Sequence, residues 1–150
     1  MRRFNLQSGE LDIDHDHPGY SWRAVRVGDK IGGERIGAAL YDLPDGEKTF
    51  PYHYHHGAEE WLVVLDGAPE VRTPTGTRTL APGDVVCFPS GPDGAHAVTG
   101  PGRVLILSNA ESTTVAVYPD SDKLGTRPRD DHDRLDFRRA SGVDYWDGEE

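Results

Sequence analysis

The sequence predicts an all-β domain, a barrel or a sandwich, on three observations. Between Trp22 and Tyr118, short runs rich in β-branched and aromatic residues alternate with turn signals. No part of that region repeats its apolar residues at a helical period. The breaks carry the residues that sharp turns demand, at Asp66-Gly67, Thr75-Gly76 and Pro82-Gly83.

Taken in order, residues 1 to about 20 form a polar, irregular N-terminal segment. Its main feature, Asp14-His15-Asp16-His17-Pro18-Gly19, reads as a solvated acidic turn. Strands are predicted at 22–27, 34–42, 50–53, 60–65, 70–73, 77–80, 84–88, 96–99, 104–108 and 113–117. In 60–65 the period of two puts Glu60, Leu62 and Val64 on one face and Trp61, Val63 and Leu65 on the other. Strands 70–73 and 77–80 flank Pro74-Thr75-Gly76 and read as a tight hairpin. Pro82-Gly83 fits the centre of a type II turn, since Pro fixes φ at the second position and Gly accepts positive φ at the third. Residues 1–150 are read as one domain, with the barrel at about 22–118 and a C-terminal arm at 119–150. The arm is rich in acidic residues but keeps Leu135, Phe137, Val143, Tyr145 and Trp146. Those aromatics predict packing on the chain's own barrel or on a partner subunit.

Composition narrows the function. A chain of 150 residues can bury a core. The formal charge of −10 argues against nucleic acid and against anionic membranes as partners. The longest apolar run, Trp61 to Leu65, is far too short to span a bilayer. Met1-Arg2-Arg3-Phe4-Asn5 lacks the apolar centre of a secretion signal. Cys87 is the one cysteine, so no internal disulfide can form, and a reducing, cytoplasmic setting is expected. Within Val85-Val86-Cys87-Phe88 it reads as a small core residue rather than a catalytic thiol.

The chemistry lies in His53, His55, Glu60 and His96. An H-x-H pair on a strand points two imidazoles to one face. With Glu60 on the next strand and His96 farther along, three nitrogens and one oxygen can surround a single divalent ion. That donor set suits Fe, Mn, Ni, Zn or Cu better than Ca or Mg. Glu59 is the rival carboxylate. His56 should face away from His55 and serve as a loop contact. His132 reads as surface.

These segments resemble the two motifs of the cupin superfamily, G-x5-H-x-H-x3,4-E-x6-G and G-x5-P-x-G-x2-H-x3-N. His53-Tyr54-His55, then Glu60 and Gly67, match the first, with Gly46 one residue farther out than the pattern. Gly83, Pro89-Ser90-Gly91 and His96 match the second, with His96 four residues after Gly91 and Gly100 where Asn would stand. The layout resembles small bacterial single-domain cupins of largely unassigned activity. The resemblance implies a double-stranded β-helix, a jelly-roll-like barrel with extended N-terminal segment and C-terminal arm. It also implies that His53, His55, Glu60 and His96 are ligands of one transition metal.

Four protein ligands leave two exchangeable positions on a six-coordinate ion, which favours an enzyme acting on a small organic molecule. An oxygenase stands ahead of a Lewis-acid isomerase or lyase. The alternative is a non-enzymatic small-molecule- or metal-binding cupin, a sensor or storage module. Proton-transfer candidates are Tyr41, Tyr52 and His56. Phe50, Phe88, Leu40, Ile106 and Val98 are expected as an apolar wall, with Arg23, Arg26, Tyr41, Tyr52 and Arg103 as polar anchors. Open sheet edges predict a homodimer.

Overall fold

The computed structural model describes residues 1–109, 113–128 and 132–149. In chain order the strands are β1 (Ile13–His15), β2 (Trp22–Val25), β3 (Ile36–Leu43), β4 (Tyr54–His56), β5 (Glu60–Gly67), β6 (Glu70–Thr73) and β7 (Gly76–Thr79). They continue with β8 (Val85–Phe88), β9 (Ala97–Thr99), β10 (Gly102–Asn109), β11 (Thr114–Tyr118), β12 (Lys123–Arg127) and β13 (Asp136–Arg138). One short helix, α1 (Val27–Ile31), follows β2. The first sheet runs β1-β2-β3-β10-β5-β8, and every pairing in it is antiparallel. Facing it are the sets β13-β12-β11-β4 and β7-β6-β9. A bridge between His53 and His96 joins these two sets at the level of the site. The all-β cupin barrel is the observed fold.

The core divides by face. Between the sheets lie Leu43, Leu62, Val71, Phe88, Val98 and Val104. Burying each such side chain contributes about 1.5–3 kcal/mol. On the outer face of the first sheet, Leu11, Val25, Val27 and Leu40 form a second cluster, capped by Phe4 and Leu6. The N-terminal segment is therefore a packed cover. Tyr54, Ala95 and Val117 make a third cluster on the outside of the facing sheet.

Turn chemistry places the strands as read. Asp84 N–H donates to Ala81 O at 3.0 Å, closing the turn over Pro82-Gly83, where Gly83 has φ 95°. Gly67 has φ 83°, and a Cβ there would lie 2.6 Å from Gly102 Cα. The glycine closing the first motif is thus what lets β5 meet β10.

Several expectations are corrected. Two strands escaped notice after Tyr118, because β12 and β13 are short, polar and edge-lying, with no apolar alternation to betray them. His15 sits in β1 and stacks on Trp22 at 4.6 Å rather than in a solvated turn. Helix α1 begins at Val27, the last residue of the predicted strand 22–27, and is too short to show a period. The expected strand at 50–53 is displaced to β4, leaving His53 in the isolated bridge. Cys87 is exposed, paired across from Trp61 on the outer face of β8; parity turns Val86 and Phe88 inward instead. Tyr54, opposite in facing to its histidine neighbours, is buried in the third cluster. Among the described residues no helix is long and apolar enough to cross a membrane.

Candidate metal centre

The two sheets clasp the site from opposite sides. Glu60 is the first residue of β5, in register with Phe88 and Ser108 on its neighbours. His55 lies in β4 opposite Ala116, and His53 and His96 exchange backbone hydrogen bonds across their bridge at 3.0 and 2.8 Å. From Glu60 Oε2 the Nε2 atoms of His96, His55 and His53 stand at 3.4, 3.5 and 3.8 Å. Glu60, His53 and His96 each offer a ligand atom within 4.8 Å of the others.

Backbone carbonyls fix two of the rings. His53 Nδ1 donates to Pro51 O at 2.8 Å and His96 Nδ1 to Gly94 O at 2.9 Å. With the proton held at Nδ1, each Nε2 turns a lone pair toward the carboxylate, the tautomer a metal ligand requires. Phe88 stacks on His96 at 3.7 Å, and Tyr118 stacks on His53 at 5.8 Å. His55 is held by ring packing against His53 at 4.9 Å, and its buried Nδ1 has no hydrogen-bond partner among the described residues.

Electrostatics make this a donor cluster rather than a set of salt bridges. Burial lowers the proton affinity of all three imidazoles, His55 to about 4 and His96 to about 3. Burial also raises Glu60 to about 7. Desolvation thus outweighs the mutual attraction that the short His–Glu distances suggest, and the imidazoles are neutral at physiological pH. Neutral nitrogens and a carboxylate lacking a cation form a set that a divalent ion fits. The residues present therefore suit a transition metal.

Above the site opens a cavity of about 580 Å³. Its wall includes His53, His55 and Glu60, while His96 sits behind them. Of the expected pocket residues, Tyr41, Phe50, Ile106 and Arg26 line it. Leu40 cannot, because it alternates with Tyr41 and packs under the N-terminal segment. Phe88 and Val98 belong to the core between the sheets. Arg23 pairs with Asp14, and Arg103 forks onto Asp42. Tyr52 lies under the Arg72 guanidinium at 3.9 Å, outside the cavity wall. His56 is exposed and packs edge-on to Tyr54. Glu59 is exposed too, accepting a hydrogen bond from Trp61 Nε1. His132 is exposed, as expected. Tyr41 stays protonated, its hydroxyl pushed up to about 12 by burial and by Glu60.

The sequence reading missed Tyr118, Arg127, Ser108 and Thr114, all of which line the cavity. Tyr118 ends β11 just before a hairpin turn at Pro119-Asp120-Ser121-Asp122, and Arg127 ends the strand that returns from it, so those turn residues were the signal that could have found the pair.

Known proteins share this fold. The Cupin domain family model matches residues 39–108. A sugar phosphate isomerase of the cupin superfamily from Silicibacter pomeroyi is 26% identical, with a TM-score of 0.78, over 97% of this chain and 98% of that one. A protein from Acidithiobacillus ferrooxidans, described as a candidate sugar phosphate isomerase, is 25% identical with a TM-score of 0.77, over 92% and 89% of the two chains. The polyketide cyclase RemF from Streptomyces resistomycificus shares the fold at 23% identity and a TM-score of 0.59, over 74% and 80%. A search of curated protein sequences finds no match.

Proposed function

Since the chain is a protein of the cupin superfamily, we propose that it is a metal-dependent enzyme acting on a small organic molecule by Lewis-acid chemistry, an isomerase first among the possibilities. The observation that carries this reading is the convergence of three imidazole Nε2 atoms on Glu60 at the floor of an open cavity. Likeness over nearly the whole chain to two proteins described as sugar phosphate isomerases supports isomerisation over the oxygenase expected first from the sequence.

His53, His55, Glu60 and His96 would hold one divalent transition metal (Fe, Mn, Ni, Zn or Cu). A bound ion supplies Lewis acidity toward a carbonyl or hydroxyl oxygen of the substrate. Phe50 and Ile106 give the cavity an apolar side that excludes water. Tyr41, protonated at neutral pH, offers an O–H donor on the wall beside Glu60. The same reading includes a homodimer. Trp61 and Val85 are exposed on the outer face of the first sheet, and Tyr145 and Trp146 of the arm are 83% and 69% exposed. A second copy of the chain would cover such surfaces.

Metal analysis of untagged protein, followed by aldose and ketose phosphate screens with and without dioxygen, tests the proposal. Turnover without dioxygen that survives exchange among Zn, Ni and Mn is expected. Activity that requires dioxygen and stops with Zn would replace isomerisation with oxygenase chemistry. A protein that takes up no transition metal at neutral pH overturns the reading.

A further inference from the structure

Arg26, Arg127 and Arg134 line the cavity, whereas Arg103, Arg72 and Arg23 work elsewhere. Arg103 engages Asp42 through Nε and Nη2 at 2.6 and 2.7 Å and the carbonyls of Leu6 and Gln7 through Nη1. Arg72 forks onto both oxygens of Asp120. Arg23 pairs with Asp14 and the Leu11 carbonyl. All three tie strands or segments together outside the cavity.

Arg127 is on the cavity wall, with its side chain only 19% exposed. Nη2 donates to Tyr118 Oη at 2.6 Å and to Asp136 Oδ1 at 2.7 Å, and Nη1 donates to Thr126 O at 2.8 Å. Three of its five N–H groups are thereby engaged. Among the described residues its one carboxylate partner, Asp136, touches it through a single oxygen and is 48% exposed. A half-buried guanidinium so lightly paired is costly unless another acceptor completes it.

The surroundings are shaped to seat it. Arg127 and Tyr118 lie at opposite ends of the β11–β12 hairpin, and between them Ala116 faces Gly125. A Cβ on Gly125 would come within 2.6 Å of Arg127 Nη1 and would run into Asp136 Oδ1. Glycine at this position therefore lets the long side chain lie along the strand and reach the tyrosine. Tyr118 in turn stacks on His53, so the guanidinium stands one side chain away from the metal ligands.

We infer that Arg127 is the anion-recognition residue of the cavity: it takes the phosphate or carboxylate of a substrate whose other end reaches the metal centre, with Tyr118 as its positioning residue. The inference rests on reading the cavity as the substrate site. The planar fork suits either oxyanion bidentately. It deepens the proposed function by requiring an anionic substrate.

The test uses the metal-loaded full chain at low ionic strength, titrated calorimetrically with glycerol phosphate, succinate and, as neutral control, glycerol. Wild type is expected to bind at least one of the two anions and not glycerol, and the anion that binds identifies the source of the charge. Arg127→Gln should weaken that binding at least tenfold with metal content unchanged. Arg127→Lys, which keeps the charge and loses the fork, should fall between and serves if the Gln variant does not fold. Tyr118→Phe should weaken anion binding while leaving metal affinity alone, which a merely structural tyrosine would not do. Equal anion affinity in wild type and both Arg127 variants overturns the inference, as does a metal-loaded wild type that binds neither anion. The two readings separate cleanly. Metal uptake without Arg127-dependent anion binding sinks this inference alone, and Arg127-dependent anion binding by protein that takes up no metal sinks the metal-enzyme reading alone.

Discussion

The two ends of the barrel interior are built from the same strands and follow opposite rules. Strand β5 sends Leu62 and Val64 to the apolar end and Glu60 to the polar end, all on one face. At the apolar end Leu62, Val98 and Val104 have no solvent exposure, and dispersion and desolvation act together. At the polar end the same burial works against the groups it covers. It strips protons from imidazoles and holds one on a carboxyl. One end stores stability and the other stores ligand affinity. Two residues along a strand are enough to pass from one to the other.

That contrast breaks first at Leu62. Leu62→Ala should cost about 3–5 kcal/mol by opening a cavity in the core. Urea melts should show the loss with and without metal, and metal stoichiometry should stay at one per chain in the folded fraction. A Leu62→Ala protein as stable as wild type would mean that the apolar end does not carry the fold.

The polar end should respond with the opposite sign. In metal-free protein, Glu60→Gln is expected to stabilise the barrel at pH 8 by about 3 kcal/mol, the linkage value of a carboxyl raised from 4.5 to about 7. The sign follows from proton counting. Between pH 4.5 and 7 the native state holds the Glu60 proton that the unfolded state has lost, so stability falls as pH rises. The gain should vanish at pH 4 and reverse once metal is added, because the variant loses a ligand. The histidines work in the other direction. Their lowered proton affinity makes the unfolded chain take up protons first, so stability drops as pH falls from 6.5 toward 4 and 3. Denaturant melts across pH in chelator check both slopes.

His55→Ala should lower metal affinity about 10–100-fold while shifting the metal-free melting temperature little, since its Nδ1 has no hydrogen-bond partner among the described residues. Competition with a chromogenic chelator measures it. Below pH 7 wild-type metal affinity should fall about tenfold per pH unit with release of one proton, and Glu60 is the group that competes. The imidazoles are neutral well below that pH.

The smallest effect on folding should come from the arm. Removing residues 139–149 and the final residue should change barrel stability by under about 0.5 kcal/mol, because 139–149 are exposed in the described chain. The same truncation should shift the proposed dimer toward monomer in light scattering. A wild-type chain that is monomeric at micromolar concentration removes the dimer from the proposal.

Much of this was legible in the sequence, for reasons that are local. Period two fixed which face Glu60, Leu62 and Val64 share, and the H-x-H spacing fixed a common facing for His53 and His55. Pro82-Gly83 announced its turn because only certain residues accept those dihedrals. The spacing of His53, His55, Glu60, Gly67, Gly83 and His96 carried the family resemblance, and with it the fold and the ligand set. What the tertiary structure alone decided lies across the chain. Whether Leu40 joins a pocket or a covered outer face depends on Phe4, Leu6 and Leu11 folding over it. Whether Cys87 is core or surface depends on strand parity against Trp61. Arg127 looked like one charge among many in an acidic tail. It became a cavity residue because a hairpin returned it to Tyr118, and Gly125 left space for it to lie down. Sequence periodicity records which side chains share a face; which faces meet is set by packing between segments far apart in the chain.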